Sequence, residues 1–143
     1  MPAQSPEQCE ELFAQYVNAG NVDDLLALYE THASHLRPDG GVAQRSDGIR
    51  LVLDEFVAMQ PALGVSLQKV VLTGDDLAVL YDTWTLAAKD PGGNAIQMNG
   101  KGVHIVRRQP DGAWKFVFTG GHERRLTTRT SRRNAPPPCA AVP

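Results

Sequence analysis

The sequence predicts an α+β domain in which three helices pack on the concave face of one curved, mixed or antiparallel sheet. Three observations predict this. Helical periodicity is confined to roughly the first sixty residues. Four strand signals then follow one another, separated by turn residues rather than by helices. Without helices between them these strands cannot form βαβ units, so the helices must cover one face of a largely antiparallel sheet. A strongly twisted sheet covered in this way encloses a cone, a shape suited to holding a ligand.

The first helix opens at Ser5-Pro6-Glu7-Gln8, where Ser5 can cap, Pro6 suits the first helical position and Gln8 completes a capping box. Cys9, Leu12, Phe13, Tyr16 and Val17 supply its apolar stripe. Gly20 ends it as a left-handed cap, and Asn21 immediately caps a second helix whose apolar face runs from Val22 to Tyr29. Residues 33–44 read as two short strands around a turn at Pro38-Asp39-Gly40-Gly41. Ser46-Asp47-Gly48 opens a third helix that Pro61 closes.

Four strands complete the order ααββαββββ. Val65–Leu72 is followed by a turn at Gly74-Asp75-Asp76, then by a long strand over Leu77–Lys89. Asp90-Pro91-Gly92-Gly93-Asn94 is a hairpin turn into Ala95–Arg108, and Gln109-Pro110-Asp111-Gly112 is another into residues 113–119. The apolar pattern stops after Gly121. The expected domain is therefore 1–121, with 122–143 a disordered, basic, Pro-rich tail.

Two stretches carry a resemblance. Asn18-Ala19-Gly20-Asn21-Val22-Asp23-Asp24-Leu25 with Leu28-Tyr29, and Trp84-Thr85-Leu86 with Gly100-Lys101-Gly102 and Arg107-Arg108-Gln109-Pro110-Asp111-Gly112-Ala113-Trp114-Lys115, resemble the NTF2-like superfamily. Within it they resemble the SnoaL-like and DUF4440-type domains related to ketosteroid isomerase. The resemblance implies a cone-shaped fold with an apolar pocket, a homodimer, and a small hydrophobic ligand of polyketide or steroid type. If the domain is catalytic, it implies proton transfer or epoxide opening; the alternative is a noncatalytic ligand-binding or dimerisation domain. Ketosteroid isomerase works with an Asp base and an oxyanion hole made of a Tyr and a protonated Asp. Registered on Asn18-Ala19-Gly20 and Pro38, those positions hold Arg37, Phe13 and about Val103, with His104 beside it. The isomerase's own catalytic set is thus missing.

Arg37 and His104 are the candidate catalytic residues. Arg37 could offer a cation to an anionic intermediate, or it could snorkel to water from an edge strand. His104 could serve as a general base, or it could face outward; strand parity alone leaves this open. Phe13, Tyr16, Tyr29, Phe56, Met59, Trp84, Met98, Trp114 and Phe118 are the candidate ligand-binding residues, most of them core and three or four expected to face a cavity. Glu30, His32 and His35, at an expected helix end, form part of a metal set with no third and fourth ligand of the right type beside them, so no metal is expected. No cofactor motif is legible. Gly100-Lys101-Gly102 lacks the third Gly and following helix of a phosphate loop and reads as a bend in the strand or a close approach to a ligand.

The net charge of -2 divides unevenly: residues 122–143 carry +4 and the remainder -6. An acidic domain is a poor match for nucleic acid, and none is expected as a partner. Cys9 and Cys139 suggest no disulfide framework, and the N-terminus lacks the basic start and apolar run of a signal peptide, so a cytoplasmic protein without membrane association is expected.

Overall fold

The computed structural model of the chain describes residues 2–37 and 39–126, the side chains of 122–126 excepted. The elements run α1 (Pro6–Ala19), α2 (Val22–Ala27), β1 (Tyr29–Leu36), β2 (Val42–Gln44), α3 (Arg45–Ala58), β3 (Ala62–Thr73), β4 (Leu77–Lys89), β5 (Ala95–Arg108) and β6 (Trp114–Leu126). Their order is the expected ααββαββββ. The strands form one six-stranded sheet in the order β2-β1-β6-β5-β4-β3. Only the β1–β6 pair is parallel, so the sheet is mixed.

The helix signals act as read. Ser5 Oγ accepts from the Gln8 N–H at 3.1 Å, but Gln8 Oε1 returns to the Gln4 N–H at 2.6 Å, one residue earlier than a capping box requires. Gly20 takes φ 72°, the left-handed conformation that glycine adopts without a Cβ clash. Asn21 Oδ1 then caps the Asp24 N–H at 3.1 Å. Asn18 clamps α1 to the edge strand: its side chain donates to the Leu63 carbonyl at 3.0 Å and accepts from the Leu63 N–H at 2.7 Å.

Several boundaries differ from the sequence reading. Strand β3 starts earlier, at Ala62, and α3 starts at Arg45 rather than Ser46. Two further differences matter more. Helix α2 stops at Ala27, and Tyr29 belongs to β1 rather than to its apolar face. The Leu28 carbonyl is taken by the Phe116 N–H at 2.8 Å, and Tyr29 pairs with Phe116 in the sheet, so tertiary pairing outweighs helical propensity here. This also places His32 and His35 on a strand, not at a helix end. Strand β6 continues past Gly121 to Leu126, where the pairing Gln97↔Leu126 ends the ladder. Backbone pairing needs no apolar side chain, which is why the pattern did not show it. Pro38, Cys139 and the remainder of the expected tail lie outside the described residues.

The core fills the narrow end of the cone. Phe116, Leu25, Ile49, Leu80, Val17, Val106 and Cys9 are its largest fully buried side chains, each large aliphatic or aromatic one worth roughly 1.5–3 kcal/mol on burial. Cys9 donates to the Trp114 carbonyl at 3.6 Å, and burial pushes its thiol up to about 12, so it is an inert core residue. No helix among the described residues is long and apolar enough to cross a membrane.

Candidate active site

The wide end of the cone is not filled. It encloses a cavity of about 430 Å³ between the sheet and helices α1 and α3. Of the candidate ligand-binding residues, Phe13, Tyr29, Phe56, Met59, Trp84 and Met98 line it. Tyr16, Trp114 and Phe118 do not. Tyr16 and Trp114 belong to the packed core. Phe118 is displaced by a bulge: Val106 pairs with Phe116 and Ile105 with Phe118, so Val117 is the extra residue. The bulge turns Thr119, rather than Phe118, inward onto the cavity.

Four polar residues deep in the cavity come from four different elements. Glu10 lies on α1 one turn before Phe13, His35 on β1, Asp82 on β4 and His104 on β5, all lining the cavity. Asp82 pairs with Gly102 and His104 with Leu80, so Asp82 and His104 are diagonal neighbours on the inner face. This fixes the parity left open by the sequence: Met98, Gly102 and His104 point inward. Gly102 is required by the close approach, because a Cβ there would strike Asp82 Oδ1 and His104 Nε2.

His104 is held at both ends. Its Nδ1 accepts from the Gly120 N–H at 3.3 Å, which leaves the ring proton on Nε2. Nε2 then donates to Asp82 Oδ2 at 3.0 Å, with Glu10 Oε1 at 3.6 Å. The ring also meets Phe116 edge to face, centroids 5.9 Å apart.

Glu10 and Asp82 are 6% and 4% exposed, which makes two ionised carboxylates side by side costly unless a cation forms near them. Burial first, then the hydrogen bond to Asp82 and its charge, pushes Glu10 up to about 9. Asp82 moves the other way. Burial alone would raise it, but hydrogen bonds from His104 and Glu10, aided by the nearby Gly102 N–H, outweigh burial and hold it below the usual carboxylate range. Glu10 Oε2 and Asp82 Oδ1 are the buried side-chain oxygens with no hydrogen-bond partner among the described residues. A proton on Glu10, hydrogen-bonded to Asp82, removes one of the two charges from this buried pair. Glu10, Asp82 and His104 also bring one donor atom each within 4.8 Å of one another. A histidine whose Nε2 carries the proton given to Asp82 has no lone pair there for a metal, so the arrangement fits a held proton better than a cation.

Arg37 is corrected. It follows the last residue of β1, 38% of its side chain is exposed, and it leans on Asp39 at 3.9 Å and Glu55 at 3.8 Å. It is not a lining residue, since a guanidinium is cheaper to keep at a wet rim than in an apolar cavity. Glu30 is drawn to Arg107 at 2.9 Å and Gln109 at 2.7 Å, while His35 faces the cavity, so the expected partial metal set does not converge. Sequence reasoning missed Glu10 and Asp82. The signal was present: each is a charged residue on an apolar face, Glu10 within the α1 stripe and Asp82 in phase with Leu80 and Trp84.

Similarity to known proteins is consistent with this architecture. The sequence profile of the SnoaL-like domain matches residues 10–117. Among solved structures, a ketosteroid isomerase-like protein from Erwinia carotovora atroseptica superposes with a TM-score of 0.75 at 14% identity, over 85% of this chain and 93% of that one. Aln2 from a Streptomyces species gives 0.70 at 13% identity, over 82% and 91%. An NTF2-like protein with a cystatin-like fold from Novosphingobium aromaticivorans gives 0.68 at 15% identity, over 88% and 82%. At these identities the likeness is one of fold. No curated protein is a significant sequence relative. By its profile match over most of the chain and by its fold, this protein belongs to the SnoaL-like domain family of NTF2-like proteins.

Proposed function

We propose that the protein binds a small hydrophobic molecule, of fused-ring polyketide or steroid-like type, and transforms it by proton transfer. One observation carries this reading: two buried carboxyl groups, Glu10 and Asp82, stand side by side with His104 on the wall of a largely apolar cavity, where burial pushes Glu10 up and hydrogen bonds hold Asp82 down. Two carboxyl groups pushed to opposite protonation states form a proton store whose acid member can hydrogen-bond or protonate a substrate oxygen. A purely structural core has little reason to retain such a pair, because desolvating a charge costs several kcal/mol. The cavity volume suits a molecule of two to four rings.

The reading is tested with 2-tetralone, an enolisable bicyclic ketone, and 2-naphthol, an analogue of its enol. Wild-type protein is expected to bind 2-naphthol by calorimetry and to accelerate deuterium exchange at the α-carbons of 2-tetralone in D₂O, followed by proton NMR. Glu10→Gln is expected to lose at least about a hundredfold of that acceleration. Binding of 2-naphthol without any exchange above buffer would replace the proposal by a noncatalytic ligand-binding domain.

A further inference from the structure

His104 is the histidine singled out by the sequence, yet its ring has no free nitrogen: Nδ1 is occupied by the Gly120 N–H and Nε2 by Asp82. The other cavity histidine differs. His35 sits in the same rung of the sheet, paired with Thr119, which is paired in turn with His104. Its Nδ1 lies 2.8 Å from Thr119 Oγ1, and no described residue hydrogen-bonds its Nε2, although His35 lines the cavity. Thr119 Oγ1 is 3.4 Å from the Tyr29 hydroxyl, and either atom can donate. Tyr29 and Thr119 can therefore reverse their hydrogen bonds together. Reversal lets Nδ1 of His35 carry or lack its proton, and so lets Nε2 present a lone pair or an N–H to the cavity.

We propose that His35, not His104, takes and returns the substrate proton, and that the substrates are neutral enolisable carbonyl compounds rather than carboxylates. This rests on the proton-transfer reading above and specifies it. In the step, the C–H bond next to a carbonyl breaks and its proton goes to His35 Nε2. The C–H electron pair becomes the C=C bond of the enol, and the carbonyl π pair moves to oxygen, which receives the Glu10 proton. Glu10 is left as the carboxylate and His35 as the imidazolium, whose Nδ1–H donates to Thr119. Return of a proton from His35 to the same or another carbon, and of the enol proton to Glu10, restores both groups.

The substrate class follows from charge. The titratable residues lining the cavity are Glu10, Tyr29, His35, Glu55, Asp82 and His104, and no Lys or Arg is among the lining residues described. An anionic ligand would meet ionised Asp82 with no cation among the described lining residues to offset it, whereas a neutral ketone meets a neutral acid and a neutral imidazole. Burial, then His104 across the rung and Arg37 at the strand end, pushes His35 down to about 4, so it is uncharged at neutral pH. Glu10 from α1, Asp82 from β4 and Glu55 from α3 are the acidic groups on the same cavity.

The test uses the full chain and the same exchange assay. His35→Gln is expected to lose at least about a hundredfold in 2-tetralone exchange while 2-naphthol affinity changes by less than about threefold. The wild-type rate should fall below a pH of about 4 and lose that limb in His35→Gln. Thr119→Val, which keeps the shape and removes the hydroxyl, should lower the rate with little change in KM, marking Thr119 as a positioning residue. In ¹⁵N imidazole spectra, 2-naphthol should move the His35 Nε2 resonance more than either His104 nitrogen. Exchange that survives in His35→Gln but fails in Glu10→Gln overturns the His35 assignment and leaves the proton-transfer reading standing. No exchange by wild type removes both. Binding of 2-naphthoate at least as tightly as 2-naphthol overturns the charge argument.

Discussion

The two faces of the β4–β5 hairpin are built from neighbouring residues and have opposite characters. Inward, Asp82 and His104 are buried at 4% exposure and 17% side-chain exposure respectively. Outward, one residue away on each strand, Tyr81 and Val103 pair with one another at 41% and 40% exposure. At this pair of positions the polar residues are inside and the apolar ones outside, the reverse of the usual partition, while Leu80, Leu86 and Val106 keep the rest of the inner face apolar. An inverted pair lowers stability, and a chain that keeps one either uses the buried groups or covers the exposed ones. The difference teaches that parity on a strand fixes which residues share an environment, and that the residue type found there then shows whether the environment serves packing or chemistry.

The largest test of the inner face is Gly102→Ala. Its new Cβ would meet Asp82 and His104, and the neighbour at closest approach is a buried carboxylate that cannot move to water. A loss of about 1–3 kcal/mol in urea unfolding is expected. Stability at the wild-type level would mean that Asp82 and His104 are not held as close to Gly102 as described.

An intermediate effect follows from pH. Glu10 titrates near 9 in the fold against an ordinary 4.5, so the folded chain binds more protons than the unfolded one between those values. Its contribution is fully present below 4.5 and is lost as pH rises toward 9, at up to about 1.4 kcal/mol per pH unit. His35, lowered from 6.5 to about 4, acts in the opposite sense: its contribution is present above 6.5 and is lost as pH falls toward 4. The two oppose each other between 4.5 and 6.5. Stability should therefore vary little there and decline from pH 6.5 to 9, a decline that Glu10→Gln should abolish. Chemical denaturation at a series of pH values measures it, and a wild-type profile flat to pH 9 would contradict a protonated Glu10.

The smallest effect belongs to the outer face. Replacing Tyr81 and Val103 by Thr should change monomer stability by no more than about 0.5 kcal/mol, because neither is buried in the single chain. The homodimer expected from the family resemblance would use this face, and then the same double substitution should weaken self-association in sedimentation velocity. A monomeric wild type at high micromolar concentration would remove the dimer and leave the outer apolar pair without a function.

By itself the sequence determined the element order, the caps at Ser5 and Asn21 and the left-handed stop at Gly20. These depend on local φ/ψ preference and periodicity, which the chain carries within a few residues of each position. It also held His104 and six of the cavity residues named from its aromatic and methionine pattern. Only the tertiary structure decided what the site is. Glu10 and His104 are ninety-four positions apart, and nothing local says that α1 lays one against the other. The bulge at Val117 exchanged Phe118 for Thr119, and the parallel pairing of β1 with β6 took Tyr29 out of a helix and brought His35 to Thr119. Where β1 ends leaves Arg37 beside Asp39 and Glu55 rather than among the lining residues. A carboxyl group's protonation depends on which charges and donors surround it in space, and that neighbourhood forms only when the sheet closes over the helices.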